Sequence, residues 1–598
     1  MTVGALRRSP GTAHDRPLDL RRVLADAGRR APDRGITLVD NRGRDKDRRT
    51  YAELHRAAQL MAGRYRELGL EPGDRVLLCL PTSWEWLDCW FGAVLLGAVP
   101  CAIATPGALG SPTAQLEKTL RVCERIGARF LVGAESVQRD TRRILEAGFA
   151  EQTLHAPLCT DLLAIEQLVA TAPASPVPES DVDEASTAYL QLTSGSTGQP
   201  RAVELSHRAA IHNALACAER IGQPHGAAAP SVIVSWLPLY HDMGLVGCLL
   251  QALASGVDLH LMSPRTFLGR PRLWLERISG LEGVMSPAPN FAYQLCAERV
   301  GAAGVEGLDL RGFRDAITGS ELVRPETVDA FSSSFEAAGF TREQLRPAYG
   351  LAEATLAVTL NAELKAPRLC QVPAGGPREL RAVVGNGVPV RDTRVEIRDP
   401  AGGVLPSHAI GEVWVRGPGV MNGYLGDAEA TAETLRDGWL DTGDLGFRDH
   451  EGELYLTGRK KEILILQGHN LMPHELEWVA EGVAGSGGAE RSGAFSVPSV
   501  RGERAVLVIE TTEQDPERLR ELGHEVASAV GRLLGVPLAD LVLVRRGTLP
   551  RTSSGKIQRT ALRDSYLRGE VTRERLVETA GAPLPAMPPE QSSKSEAT

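Results

Sequence analysis

Along most of the chain, short apolar runs alternate with segments whose apolar positions recur every three or four residues. Leu18, Leu20, Val23 and Leu24 set a helical spacing that runs to Arg30. Thr50, followed three residues later by Glu53, is a capping-box signal ahead of Leu54, Leu60, Met61 and Tyr65. Residues 76–80 read as a short buried strand, Ser83 as the cap of a helix reaching Leu96, and residues 99–103 as the next strand. Ser111 and Pro112 suit the cap and first position of another helix, and residues 130–132 a further strand. After a Pro/Ser/Asp-rich connector over 173–184, the alternation resumes. Residues 232–235 and 258–262 read as strands; residues 245–254, 273–278 and 289–299 read as helices. Buried strands alternating with helices of this length predict a largely parallel sheet covered on both faces.

The pattern changes twice downstream. From 383 to 416 it becomes short alternating strands with Gly/Pro turns, which predicts a small β-rich subdomain over about 383–460. From 461 a compact α+β module begins, with helices near 473–481 and 516–534 and strands near 493–497, 505–509 and 541–544. The expected organisation is α/β. A polar, disordered N-terminus covers 1–16, a large N-terminal domain 17–460, a small C-terminal domain 461–582, and a Pro/Ser/Glu-rich disordered tail 583–598. The 598 residues exceed what one core organises, which agrees with two domains.

Composition narrows the class. Acidic residues outnumber basic ones, 75 to 66, so a nucleic-acid partner is not expected. The nine cysteines form no Cys-x-x-Cys pair, and their odd number suits reduced thiols in a cytoplasmic protein. The longest apolar run, 89–104, is broken by Gly92, Gly97 and Pro100, so no membrane span is expected.

The candidate chemistry centres on Thr193, Ser194, Gly195, Ser196, Thr197 and Gly198, which follow the apolar strand residues Ala188, Tyr189 and Leu190. Glycines let backbone N–H groups turn toward an anion, hydroxyls add donors, and Arg201 adds fixed charge, so this loop is suited to polyphosphate. The segment is expected to close on a helix. It is not a Walker A loop, because Gln199, Pro200 and Arg201 follow Gly198 where Lys-Ser/Thr is required.

Five further motifs follow in order: Gly319-Ser320-Glu321, Tyr349-Gly350-Leu351-Ala352-Glu353, the 438–444 stretch ending in Asp444, the 458–462 stretch with Arg459 and Lys461, and the 554–557 stretch with Lys556. Together with the 193–198 loop they resemble the adenylate-forming superfamily of acyl-CoA synthetases, peptide-synthetase adenylation domains and luciferases. Residues 240–245, 286–293 and 351–356 are most similar to fatty acyl-AMP ligases. The resemblance spans about residue 18 to 570 and implies a large domain of stacked α/β subdomains with a small mobile C-terminal domain.

It also implies roles. The 193–198 loop and Arg201 would cradle the β/γ-phosphates of ATP, with Arg201 where the family usually has Lys and Ala202 in place of a Gly, a change expected to stiffen the loop. Tyr349 would stack on adenine, with Gly319, Ser320, Glu321, Gly350, Leu351 and Ala352 lining the same pocket. Asp444 would accept the ribose hydroxyls, and Arg459 would lie near ribose and phosphate. Glu353 and Thr197 would hold Mg²⁺. Lys461 occupies the hinge position, and Lys556 would bridge the carboxylate and the α-phosphate as charge develops. His241, Asp242, Met243 and Gly244 are assigned to the acyl pocket. His241 and Asp242 also invite a dyad reading, but adjacent loop residues rarely face each other. The pair is therefore read as positioning the pocket, with a buried His as the alternative.

The implied reaction joins an acid with an apolar acyl group to a pantetheine thiol through an acyl-adenylate, with CoA ahead of an acyl-carrier-protein phosphopantetheine as acceptor. Residues 356–387, where fatty acyl-AMP ligases carry a bracing insertion, read as a short Pro/Gly-rich loop with few apolar anchors. Arg201 and Ala202 leave open an enzyme performing mainly the thioesterification half-reaction. A non-catalytic adenylate-binding scaffold is the alternative from another class; retention of Lys556 argues against it.

Overall fold

The computed structural model describes residues 19–106, 112–148, 160–170, 175, 183–193, 200–222, 231–361, 365–373, 380–466, 469–484, 489–499, 502–552 and 556–571. The expected disordered ends, 1–16 and 583–598, lie outside them, as do Ser194–Gly198. The chain divides into two compact units. The first comprises residues 1–370 and 382–457; the second comprises 371–381 and 458–598.

Two parallel-cored sheets dominate the first unit. The larger has nine strands, ordered Val388–Pro389, Ala357–Leu360, Leu345–Gly350, Asp315–Gly319, Val284–Pro289, Val232–Ser235, Asp258–Leu261, Gly35–Val39 and Asp45–Thr50. Its six central strands run parallel, and helices form the crossovers that join Val232–Ser235, Asp258–Leu261, Val284–Pro289, Asp315–Gly319 and Leu345–Gly350 in turn. The second has seven strands: Gly423–Tyr424, Arg201–Ser206, Thr187–Thr193, Val99–Ala102, Arg75–Cys79, Phe130–Gly133 and Asp161–Ala164. A five-stranded antiparallel sheet built from Arg394–Arg398, Gly411–Arg416, Leu435–Arg436, Trp439–Arg448 and Leu454–Arg459 confirms the change of pattern after 383.

Local signals translate directly. Thr50 Oγ1 accepts the Glu53 N–H at 3.2 Å while the Glu53 carboxylate accepts the Thr50 N–H at 2.8 Å, closing the capping box. Ser83 caps Trp84–Leu96 through the Trp86 N–H. That helix is buried almost all round, with Trp86 and Trp90 stacked 6.0 Å apart, which explains its weak amphipathic pattern. The eight described cysteines are free thiols; seven are buried, and Cys370 is partly so. Burial pushes the Cys79, Cys89, Cys217 and Cys248 thiols up to about 12, so they pack as small hydrophobes.

Two expectations are corrected, and the helix expected over 245–254 is present with an irregular start. Segment 201–206 is a strand antiparallel to Thr187–Thr193, with Thr193 opposite Arg201, and the helix begins only at His207. Burial of both faces drives this: Val203 and Leu205 pack into one core cluster and Ala202 into another. Ala202 therefore stands in a strand, not the loop, its methyl packed in the cluster of Cys101, Leu190 and Val99, so its expected stiffening of the loop does not arise. Residues 245–250 form a buried π-helical turn before Gln251–Ser255.

The second unit is an α+β body. Its sheet orders His469–Leu471, Leu464–Leu466, Gly502–Thr511 and Ala489–Ser499, with Leu538–Arg545 parallel to Gly502–Thr511. Helices Pro473–Ala484, Pro516–Leu534 and Arg559–Leu567 complete it. Among the described residues no helix is long and apolar enough to cross a membrane.

Candidate active site

The carboxyl ends of parallel strands expose the side chains that follow them, and the first unit gathers its candidate residues there. Strand Asp315–Gly319 ends on Gly319, where an added Cβ would lie 2.7 Å from the Ala348 carbonyl oxygen. Ser320 then adopts φ 69°, and Thr355 adopts φ 68°, left-handed values that strain a side-chain-bearing residue. At Thr355 the strain is a γ-turn: the Leu356 N–H donates to the Ala354 carbonyl at 2.8 Å. The Thr355 hydroxyl, fully buried, donates to the Gly419 carbonyl at 2.7 Å and offsets part of that cost. Both strained residues lie within stretches singled out from sequence, 319–321 and 351–356.

Tyr349 ends strand Leu345–Gly350, and its hydroxyl donates to Asp444 Oδ2 at 2.6 Å. Both are buried, so two motifs separated by 95 residues in the chain share one corner. Asp444 is aimed by its own turn: Gly443 has φ 70°, the Thr442 hydroxyl donates to the Val413 carbonyl, and the Asp444 N–H donates to Thr442 Oγ1. Glu353 sits in the turn Ala352–Ala354, where its carboxylate accepts the Tyr424 hydroxyl at 2.9 Å and its carbonyl the Met421 N–H at 2.9 Å. Burial and the Glu353 charge push the Tyr424 phenol well above its ordinary range, so it remains a donor.

Tyr424 also carries Arg201. The guanidinium carbon lies 5.0 Å from the centre of the Tyr424 ring, and Nε lies 4.0 Å from Asp427 Oδ2. One tyrosine thus connects the cation beside the 194–199 segment to the Glu353 carboxylate. Glu321 accepts the Phe291 N–H at 2.6 Å, so one of its oxygens holds the start of helix Asn290–Arg299.

His241 and Asp242 do face each other: His241 Nδ1 lies 2.7 Å from Asp242 Oδ1, contrary to the expectation for neighbours on a loop. The reason is that both converge on the start of the short helix Asp242–Gly244, where Asp242 Oδ1 accepts the Met243 N–H at 2.7 Å. Gly244 permits this fold, since a Cβ there would lie 2.3 Å from the Pro238 carbonyl oxygen. Gln191 reaches across to donate to the Tyr240 carbonyl at 2.8 Å, fixing this loop to the strand that leads into 194–199.

Gln191, Tyr424 and Asn213 are site residues that sequence reading passes over. Asn213, buried on helix His207–Gly222, donates to the Ala354 and Ala357 carbonyls at 3.3 and 2.9 Å and accepts the Ala357 N–H at 3.1 Å. One amide therefore frames the turn that carries Glu353. No local motif marks it, because its partners lie over 140 positions downstream.

Arg459, Lys461 and Lys556 belong to the second unit, and all three are exposed. Residues 369–384 are not the plain loop expected. Leu369–Pro373 and Leu380–Val384 pair as a two-stranded ribbon, and residues 371–381 cluster with the second unit. There Arg381 contacts His474 Nε2 at 2.6 Å and buried Glu475 at 3.4 Å, so the anchor is ionic and escapes a search for apolar anchors.

Residues 24–425 match the AMP-binding enzyme family, and the chain belongs to that family. It is similar to a putative acyl-CoA synthetase of Caulobacter vibrioides, 33% identical over 553 residues covering 90% of this chain and 93% of the relative. It is also similar to a medium-chain-fatty-acid–[acyl-carrier-protein] ligase of Moorena producens, 32% identical over 562 residues with the same coverage. A solved structure from a study of fatty acyl-adenylate ligases of E. coli and L. pneumophila superposes with a TM-score of 0.83 at 30% identity. That match covers 93% of this chain and 99% of the other. The protein is an adenylate-forming ligase with that enzyme fold.

Proposed function

We propose that this ligase activates a carboxylic acid with an apolar tail and passes the acyl group to a pantetheine thiol. In the first step a carboxylate oxygen bonds to the α-phosphorus of ATP, the α–β anhydride bond breaks, and pyrophosphate leaves. In the second, a thiolate sulfur bonds to the acyl carbon and AMP leaves with the electron pair. The carrying observation is the buried Tyr349–Asp444 pair beside a Glu353 carboxylate held by Tyr424. A ring and two acceptor oxygens suit a nucleoside, and a fixed hard oxygen suits a divalent cation on its phosphates.

Glu353 fits Mg²⁺, which takes one or two protein carboxylates and completes its shell with phosphate and water. When bound, the ion would neutralise phosphate charge that otherwise repels the attacking carboxylate. Among the described residues there is no group of three or more His, Cys, Asp or Glu that could hold a metal ion. Thr197 as a second ligand, the 193–198 loop and Arg201 as the phosphate cradle, and Arg459 near the ribose extend this reading. His241 to Gly244 serve it as acyl-pocket wall, and Lys461 as hinge. A cytoplasmic location suits the free thiols.

Tyr424→Phe tests the Glu353 assignment. Losing one hydrogen bond to a charged group is worth about 1.5 kcal/mol, so adenylation at limiting Mg²⁺ is expected to fall roughly tenfold. Raised Mg²⁺ should restore part of the rate; a variant indifferent to Mg²⁺ concentration would contradict the assignment.

The sequence puts CoA first as acceptor, but one observation favours a carrier-protein phosphopantetheine. The chain crosses between the two units three times, at 370/371, 381/382 and 457/458, and the first two crossings flank a segment tied through Arg381 to Glu475. Those two extra crossings occur where fatty acyl-AMP ligases carry their bracing insertion. Product analysis over a panel of acids, with CoA or a phosphopantetheinylated carrier protein, separates the two. AMP and pyrophosphate should appear with both, and thioester chiefly with the carrier. Rapid acyl-CoA formation would return the assignment to CoA.

A further inference from the structure

We infer that Arg559 is a positioning residue for Lys556, fastening the lysine loop to the hinge so that the two move as one piece; the inference rests on the ligase reading above. The two described legs of the loop, 549–552 and 556–559, pair with each other. Arg551 and Ile557 form an antiparallel bridge, the Gln558 N–H donates to the Pro550 carbonyl at 2.9 Å, and the Thr552 N–H donates to the Lys556 carbonyl at 2.8 Å. The Lys556 N–H returns a bond to Thr552 Oγ1 at 3.1 Å. Lys556 is exposed at the start of the second leg, so its placement depends on what holds that leg.

An arginine anchors each leg to a glutamate. On the first leg Arg551 pairs with fully buried Glu510, whose other oxygen accepts the Gly547 and Leu549 N–H groups at 2.9 Å each. On the second, Arg559 places Nε and Nη2 at 2.7 Å from the two oxygens of buried Glu477, a fork-to-fork pair, and Nη1 at 2.8 Å from Glu462 Oε2. Glu477 itself is fixed, accepting the Ala494 N–H at 2.9 Å. Glu462 closes the turn Lys460–Glu462, so it follows the hinge residue Lys461 directly. A single guanidinium, three residues after Lys556, therefore joins the lysine loop, helix Pro473–Ala484 and the hinge turn. Stability alone needs only the Glu477 fork. The third bond, to a partly exposed glutamate beside the hinge, has a use when rotation at Lys461 must be transmitted to Lys556 without slack.

Two substitutions leave the fold in place. Glu462→Gln removes the hinge-side charge and spares the buried fork; Arg559→Lys keeps the charge and loses the fork geometry. Misplacing a catalytic cation by a fraction of an ångström should cut kcat for acid-dependent pyrophosphate exchange about tenfold in each, with KM for ATP and acid changed less than about twofold. In the Lys556→Ala background, adding Glu462→Gln should lower the residual rate no further, and its melting temperature should match the parent. Equal factors in both backgrounds, or wild-type exchange in both single variants, would overturn the inference while leaving the ligase reading intact. Undiminished exchange in Lys556→Ala alone overturns the lysine's role and this inference with it.

Discussion

Lys556→Ala protein is expected to form acyl-adenylate about 10²–10³-fold more slowly than wild type while binding ATP with unchanged affinity. The split follows from where charge develops. On the proposed reading, ground-state nucleotide recognition would draw on Tyr349, Asp444 and the phosphate loop, whereas Lys556 would meet oxygens whose charge grows only as the carboxylate attacks. The substitution should cost little stability, because the side chain is exposed and its backbone turn is held by Arg551 and Arg559. Pyrophosphate exchange and equilibrium nucleotide binding, measured on the same preparation, check it. Loss of both in equal measure would make Lys556 a binding residue instead.

Gly350→Ala should be the most damaging small substitution in the first unit. A Cβ on Gly350 would lie 1.8 Å from the Leu356 carbonyl oxygen and 2.7 Å from its carbon, a backbone clash that no rotamer relieves. The Leu351 N–H donates to that same carbonyl at 2.9 Å, so pushing the chain apart breaks the bond that closes the Glu353 turn. The turn cannot yield easily, since Asn213 grips it at residues 354 and 357 and Thr355 is already strained. Overpacking of this kind costs about 1–3 kcal/mol of stability, and the displaced Glu353 and Tyr349 should lower adenylation at least about 100-fold. Thermal melting and pyrophosphate exchange read the two effects; a variant with wild-type exchange would mean that the turn geometry does not matter to catalysis.

The strands and helices written in apolar periodicity were readable from sequence, as were the capping box at Thr50 and Glu53 and the helix Pro516–Leu534. Strand Asp45–Thr50 was not. It carries Asp-Lys-Asp-Arg-Arg-Thr on the sheet's edge, largely exposed, where charge discourages a further strand from adding and leaves no alternation to detect. Its partner Gly35–Val39 is buried throughout but too short to stand out alone.

At the candidate site, sequence motifs singled out Tyr349, Glu353 and Asp444 because each lies within or beside a short local pattern: Gly350 after Tyr349, the turn Ala352–Ala354, and Gly443 before Asp444. Residues that act at a distance left no such mark. Tyr424 reads as part of an ordinary turn until its hydroxyl is seen on Glu353, and Asn213 reads as a polar position in a helix until the 354–357 turn is folded against it. The misreading of 201–206 as helical has another origin: both faces of the strand are buried, so Ala202, Val203 and Leu205 leave no simple alternation to read even though its partner Thr187–Thr193 is close in the chain. The ribbon at 369–384 was passed over because its hold on the second unit is an arginine between a histidine and a glutamate, not an apolar patch.

The most direct test of the whole account is mass spectrometry of the products formed from ATP, Mg²⁺ and a fatty acid with no thiol present. Acyl-AMP and pyrophosphate in equal amounts, formed by wild type and greatly reduced in Lys556→Ala, is the expected result. ADP with an acyl phosphate or free phosphate, or no acid-dependent product with any acid, would contradict it.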